Sequence, residues 1–257
     1  MNGKVSIPVL LLLSALLIGC ASSAERQARR EQIDKRVETH VMLGASYLQR
    51  GQLDVAKKEL EIALKESPND SQANNIMAVL QWRLKNLGEA ERLFRRALDS
   101  DEKNPSAQHN YGTFLCDRGR LDEAIRYFDA AATNQLYPYA AEVNLNAGVC
   151  LMKKPLPSAA EKYFREALSI NPKLPGALYQ MAKISLDSGN RLPARGFIER
   201  YFQAADDTPE ALLLAVKIER ALKNKNAEAS YALRLRNKFP NSPETEKLHG
   251  ISGPGKR

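Results

Sequence analysis

The stretch from residue 43 to residue 68, LGASYLQRGQLDVAKKELEIALKESP, decides the fold of this chain. Its order of small and large residues predicts two helices that pack against each other. Gly44 is the small residue at which the first helix meets the second closely, Ala56 is its counterpart, and Leu60 fills the gap between neighbouring hairpins. Pro68 ends the second helix, because proline lacks an N–H to donate and clashes with the preceding turn.

The same pattern returns along the chain with a period of about 34 residues. One hairpin cannot bury its apolar face alone, but a stack of hairpins can. The small residue returns as Ala78, Gly112, Gly148 and Ala182. Its counterpart returns as Ala90, Ala124, Ala160 and Ala194. The large residue returns as Phe94, Phe128, Phe164 and Ile198.

These offsets match the tetratricopeptide repeat and predict an all-α, right-handed superhelical solenoid of about six helix-turn-helix repeats. The predicted array covers residues 37–248, with repeats at 37–70, 71–104, 105–140, 141–174, 175–208 and 209–242. The fifth and sixth repeats match the pattern less well. Residues 249–257 contain three glycines and a proline and are predicted to form a loose tail.

The first twenty residues predict export and lipidation. Lys4 precedes an apolar stretch, 5–18, that is too short to span a bilayer comfortably. It ends in Leu17-Ile18-Gly19-Cys20, which resembles a bacterial lipobox. We therefore expect residues 1–19 to be removed as a signal peptide and Cys20 to carry diacylglycerol, with further acylation of its freed amine. The alternative is an ordinary signal peptide, or an uncleaved helix, with a chance cysteine.

Ala21, rather than an aspartate, follows the lipidated residue. By resemblance to enterobacterial lipoproteins, this implies sorting to the outer membrane, with the protein facing the periplasm. Residues 20–36 are polar and charged and are predicted to form a tether. Its basic residues either rest on anionic headgroups or belong to a plain solvated spacer: Arg26, Arg29, Arg30, Lys35 and Arg36.

The chain offers no pattern typical of an enzyme. The formal net charge is +8, but the basic residues are scattered without aromatic interleaving, so we expect no nucleic-acid partner. His40, His109 and His249 lie far apart and lack metal-ligand spacing. Phosphate loops, nucleophile elbows and dinucleotide fingerprints are missing. We therefore predict no catalytic residue, metal, cofactor or small-molecule substrate, and we interpret the carboxylates as ordinary surface partners of Lys and Arg.

Two cysteines remain after Cys20. Cys116 and Cys150 lie on the first helices of neighbouring repeats, and consecutive first helices are adjacent in such a stack. A disulfide in an oxidising periplasm is one interpretation. It requires Cα atoms within about 7 Å, which helix packing only sometimes allows, so two buried thiols are the other interpretation.

The first helices of the repeats also predict a partner-binding groove on the concave surface. Its residues are partly apolar, which favours an amphipathic helix or an extended segment as the ligand. We expect neighbouring hairpins to bury about half of them in part. The predicted groove residues are Val41, Ala45, Leu48, Asn75, Val79, Trp82, Arg83, His109, Thr113, Leu145, Val149 and Met152.

Three strings of sequence carry a resemblance to a known family. They are NYGTFLC at 110–116, NAGVC at 146–150 and FPNSPE at 239–244. Together with the lipobox and the six repeats, the chain resembles the type IV pilus biogenesis lipoproteins of the PilF/PilW family. The resemblance implies a pilotin, which binds the pilus secretin and helps it to reach the outer membrane and to multimerise. The alternative is a general periplasmic adaptor lipoprotein for cell-wall enzymes or for outer-membrane protein assembly.

Overall fold

The computed structural model describes residues 7–134, 136–153 and 157–251, and it describes the side chains of residues 23–134, 136–153 and 158–248. These residues form thirteen α-helices and no strand. None of these helices has an apolar stretch long enough to cross a membrane. The helices are α1 (Ile7–Gln49), α2 (Leu53–Glu66), α3 (Ser71–Arg83), α4 (Leu87–Ser100), α5 (Pro105–Asp117), α6 (Leu121–Ala132), α7 (Ala140–Leu151), α8 (Pro157–Ile170), α9 (Pro175–Asp187), α10 (Arg191–Ala204), α11 (Pro209–Ala221), α12 (Lys225–Lys238) and α13 (Pro243–Ile251).

The helices from α2 to α12 alternate with short turns, as the repeat pattern predicts. Successive helices pack in pairs, with α1 on α2, α3 on α4, α7 on α8, α9 on α10 and α11 on α12. The chain divides into an N-terminal body, residues 1–110, and a C-terminal body, residues 111–257. The prediction of an all-α tetratricopeptide architecture is confirmed.

The small and large residues of the repeat pack as predicted. Leu60 and Phe164 are fully buried. A Cβ atom on Gly44 would lie 2.7 Å from Cγ of Leu60, and one on Gly148 would lie 2.5 Å from Cε1 of Phe164. Glycine is therefore required at both positions by the close approach of the two helices.

We expect Gly148→Ala to destabilise the protein by about 1–3 kcal/mol, because the added methyl group overpacks a filled core. Gly196→Ala is the matched control, because a Cβ atom there has no neighbouring atom within 4 Å in the described structure. Since alanine is the better helix former, this control should gain up to about 1 kcal/mol. Urea unfolding followed by circular dichroism measures both. If both substitutions changed the free energy of unfolding in the same direction, the role of close packing at Gly148 would be contradicted.

Five of the turns inside the repeats have one residue with left-handed backbone. Gly51, Gly119 and Gly189 have φ between +74° and +77°, and Lys85 and Lys223 take the same place with φ of 65° and 60°. In each turn the next N–H donates to the carbonyl five residues back, at 2.8–3.0 Å. This bond closes the end of the first helix and directs the chain into the second.

The N-terminal helix begins earlier than the repeat pattern predicts. Residues 21–36, predicted as a tether, continue α1 without a break. Core packing starts at Ile33, which lies against the cluster of Val37, Val41, Ala63 and Ala73. Residues 1–6 and the side chain of Cys20 lie outside the described part of the structure, so the lipidation prediction is carried by the sequence.

The C-terminal body ends with a helix that the sequence analysis did not predict. In α13, Thr245 and Leu248 are 6% and 2% exposed. Leu248 joins a core cluster with Leu212, Val216 and Leu235. The predicted tail therefore starts inside a helix, and residues 252–257 lie outside the described part.

The interpretation of all carboxylates as ordinary surface partners is wrong for two residues of the C-terminal body. Glu219 is bound by Arg195, with Nε 2.7 Å from Oε1, and its side chain is 3% exposed. Asp207 is 4% exposed and pairs with both Arg234 and Lys238, the latter at 2.7 Å. The Glu219 pair connects α10 with α11, and the Asp207 pairs connect the loop before α11 with α12, so none of them joins neighbours on one helix face.

Candidate partner-binding surface

The N-terminal body contains eight of the predicted groove residues, and three of them are buried. Val41, Leu48 and Asn75 are 7%, 5% and 0% exposed. Neighbouring helices cover these side chains, so a partner would reach little of them. The prediction that they present a contact surface therefore needs correction, whereas the expectation that hairpin packing covers part of the groove agrees with the structure.

Two hydrogen bonds order this side of the N-terminal body. Arg83 donates from Nη1 to the carbonyl of Leu48 at 2.7 Å, which links the ends of α3 and α1. Asn110 donates from Nδ2 to Oδ1 of Asn75 at 3.1 Å. Arg83 and Asn75 thus hold the scaffold together in addition to any role toward a partner.

The other predicted residues of this body stay accessible. Ala45, Val79, Trp82 and His109 are half-buried, and Arg83 is exposed. Burial lowers the pKa of His109 to about 4, so its imidazole is neutral near pH 7. This part of the surface is therefore mainly apolar, with one cationic side chain at its edge.

A hollow of about 400 Å³ opens beside two of the predicted residues, Val41 and Ala45. Met42 lies on its wall and is 59% exposed. Three carboxylates surround the apolar floor. They belong to Asp34, Glu38 and Asp70. The repeat pattern identifies Val41 and Ala45 but does not predict the hollow itself, because the hollow forms where the loop between α2 and α3 folds back against α1.

The C-terminal body contains the remaining four predicted residues. Val149 is 38% exposed, and Thr113, Leu145 and Met152 are half-buried. Leu145 packs directly over Gly176 of α9, where a Cβ atom would lie 2.7 Å from Cδ2 of the leucine. Leu145 therefore belongs mainly to the packing between repeats, whereas Val149 is available to a partner.

Cys116 and Cys150 lie opposite each other at the ends of α5 and α7. Their Cα atoms are 5.8 Å apart and the structure joins their sulfur atoms as a disulfide. Lys153 strengthens the same junction by donating from Nζ to the carbonyl of Cys116 at 3.0 Å. The structure therefore agrees with the first interpretation, in which the two cysteines form a disulfide.

A second concavity, of about 340 Å³, lies between α9, α11 and α13. Its floor includes Tyr179 and Leu213, and Lys183, Lys217 and Lys247 stand around it. Burial, helped by Glu210 and Glu244, raises the pKa of the Tyr179 hydroxyl. The repeat pattern predicts no groove here, because it does not predict α13, which forms one wall.

The described residues contain no group of three or more His, Cys, Asp or Glu side chains that would hold a metal ion. His40 approaches one carboxylate, with Nδ1 2.7 Å from Oε2 of Glu59. The two concavities described above are apolar hollows edged by charged side chains, which suit the binding of a protein segment.

Comparison with known proteins agrees with this architecture. Two sequence models of the tetratricopeptide repeat match the chain, one at residues 41–105 and 115–175 and the other at 82–141. The type IV pilus assembly protein PilF of Pseudomonas aeruginosa is 29% identical over 95% of this chain and 98% of its own length.

Solved structures show the same relationship. The structure of Pseudomonas aeruginosa PilF has a TM-score of 0.79 and 29% identity, covering 86% of this chain and 99% of that one. The structure of PilW, described as a widely conserved type IV pilus biogenesis factor, has a TM-score of 0.74 and 30% identity, covering 83% and 98%. This chain belongs to the PilF/PilW family of tetratricopeptide-repeat proteins of type IV pilus biogenesis.

Proposed function

We propose that this protein is a pilotin: an outer-membrane lipoprotein that binds the type IV pilus secretin and promotes its localisation and multimerisation. The observation that carries the proposal is similarity to PilF along nearly the whole of both chains. The lipobox ending at Cys20 directs the protein to the membrane, and the repeats provide the surface that binds the secretin. The protein acts by binding, without making or breaking a bond.

The hollow in the N-terminal body is the surface that we assign to the secretin. Its apolar floor fits an apolar side chain, and burying such a side chain contributes roughly 1.5–3 kcal/mol. The carboxylates of Asp34, Glu38 and Asp70 complement a Lys or Arg next to that side chain. A secretin segment with adjacent apolar and basic residues therefore fits best.

Deleting the gene and following secretin multimers on semi-denaturing gels of outer-membrane fractions tests the proposal. Loss of multimers, restored by the wild-type gene, is the expected result. Cys20→Ser should fail to restore them, because the chain then loses its anchor. Met42→Glu should also fail, because a fourth carboxylate enters the hollow; a central contact of this kind is worth about 2 kcal/mol or more.

Leu192→Glu is the matched control for Met42→Glu. Leu192 is 67% exposed and lies on α10, so the substitution adds the same charge at a similarly exposed position. Leu48→Ala is unsuitable as a binding test, because removing a buried leucine costs about 2–5 kcal/mol of stability. Normal multimers in the deletion strain would reject the pilotin function. If the Met42→Glu variant restored normal multimers, the secretin would bind at a surface other than this hollow.

A further inference from the structure

The N-terminal part of α1 extends beyond the packed array. Residues 23–32 of this helix are exposed, and core contacts begin only at Ile33. Within this extension, Arg26 and Arg30 are spaced four residues apart and line up with Ile33 and Val37, at intervals that place side chains on one helix face. Arg29 lies beside them. These three arginines form a stripe, named here the arginine stripe.

The balance of charge changes along this helix. Glu31 and Glu38 are seven residues apart and share a face turned away from the arginine stripe. From Cys20 to Arg30 the chain contains three arginines and a single acid, Glu25. The end of the helix nearest to Cys20 is therefore cationic, whereas the charges farther along are mixed.

The distance along α1 between the arginine stripe and Cys20 indicates which groups the arginines can reach. With a rise of about 1.5 Å per residue, Arg26 and Arg30 lie about 9 and 15 Å along α1 from Cys20. The headgroup layer on each side of a bilayer is about 5–8 Å thick, and the Debye length adds about 8 Å at physiological ionic strength. A lipid on Cys20 therefore holds all three guanidinium groups within the electrostatic reach of the headgroups.

We propose that the arginine stripe binds the anionic phospholipid headgroups of the membrane that holds Cys20. The proposal rests on the lipid anchor of the proposed function and adds a second membrane contact to it. Guanidinium groups suit this role, because they bind phosphate oxygens in a bidentate manner and remain charged at every physiological pH. The contact would fix the base of α1 on the surface and so limit the directions in which the array projects.

The contribution of the stripe becomes measurable when the anchor is weak. We would couple one acyl chain to the Cys20 thiol of the chain that starts at this residue, since a single chain binds membranes only marginally and reversibly. The comparison uses phosphatidylcholine vesicles and vesicles with about a third phosphatidylglycerol. Changing the three arginines to glutamine should weaken binding to the anionic vesicles about 5-fold per arginine, or roughly 100-fold together.

The matched control changes three other exposed basic residues, Lys173→Gln, Lys225→Gln and Arg236→Gln, which alters the net charge equally. It should leave vesicle binding within about 2-fold of wild type. Both triple variants should keep the wild-type circular dichroism spectrum. Added salt should remove the preference of the wild type for anionic vesicles.

Wild-type binding that is equal on the two kinds of vesicle would overturn the proposal. Unchanged binding by the arginine variant would overturn it too; loss of secretin multimers in that variant would then assign the stripe to a protein partner. Because the acyl chain is attached chemically, the result does not depend on lipidation in the cell. A failed lipid anchor in vivo is detected separately, through the Cys20→Ser arm of the complementation experiment.

Discussion

Replacing Arg234 and Lys238 together by methionine is expected to lower the free energy of unfolding by about 3–5 kcal/mol. Both cations bind Asp207, whose side chain is 4% exposed. Without them, the carboxylate stays buried with no opposite charge. The guanidinium of Arg234 also lies 4.9 Å from the ring centre of Phe202, and methionine preserves part of that apolar packing.

A third substitution separates two contributions to the loss of unfolding free energy: the unpaired charge of Asp207 and the lost packing of the two replaced side chains. Adding Asp207→Asn to the double variant removes the charge at nearly constant shape, and should recover at least about 1.5 kcal/mol in urea unfolding. Arg165→Met is the control, because its pair with Glu161 lies on one helix face and the arginine is 63% exposed. That change should cost less than about 1 kcal/mol. A triple variant no more stable than the double variant would disprove the argument.

The pH dependence gives an independent measure of the same network. Burial alone would raise the pKa of Asp207, but hydrogen bonds from Arg234 and Lys238 outweigh it and lower the pKa below its ordinary value. The stabilisation is therefore present above the unfolded pKa of about 3.9 and disappears as the pH falls through the lower, folded pKa. The Asp207→Asn variant should lack this part of the acid-induced loss of stability.

Breaking the bond between Cys116 and Cys150 should lower the free energy of unfolding by about 3–4 kcal/mol. The two residues are 34 positions apart, so the bond closes a loop of that length and restricts the unfolded chain. Cys116→Ala with Cys150→Ala tests this in urea unfolding. Both sulfur atoms lie in buried side chains, so a small cavity adds to the cost.

Reduction provides the matched comparison for the cysteine variant. A reductant should destabilise the wild type by a similar amount and should have no effect on the double alanine variant. Peptide mapping without reductant should recover a fragment that links Cys116 with Cys150. If neither the reductant nor the substitutions changed the free energy of unfolding, a stabilising role of the bond would be excluded.

The repeats could be predicted because their determinants are local. The contact of Gly44 with Leu60 recurs as the contact of Gly148 with Phe164, and each pair lies within one hairpin. By contrast, α13 belongs to no repeat. It is stable because Leu248 is buried against Leu212, Val216 and Leu235. No periodic pattern in the sequence predicts that contact.

The candidate surface was less predictable than the fold. The helical pattern identified Val41, Leu48 and Asn75 by their repeat positions, yet all three are buried. Exposed Met42, one residue beyond Val41, lines the same hollow as Val41 but was not predicted. Repeat position assigns a side chain to a helix face, but the neighbouring hairpin decides how much of that side chain remains accessible.

The sequence by itself determined the helical repeats and the family, and it predicts lipidation at Cys20, because each of these rests on motifs of residues that lie close together along the chain. Only the tertiary structure decided that Cys116 bonds to Cys150 and that Asp207 meets Arg234, 27 residues away. It also decided which groove side chains are accessible. These outcomes depend on how hairpins stack, and stacking brings together groups from different repeats whose contact is not encoded in their spacing alone.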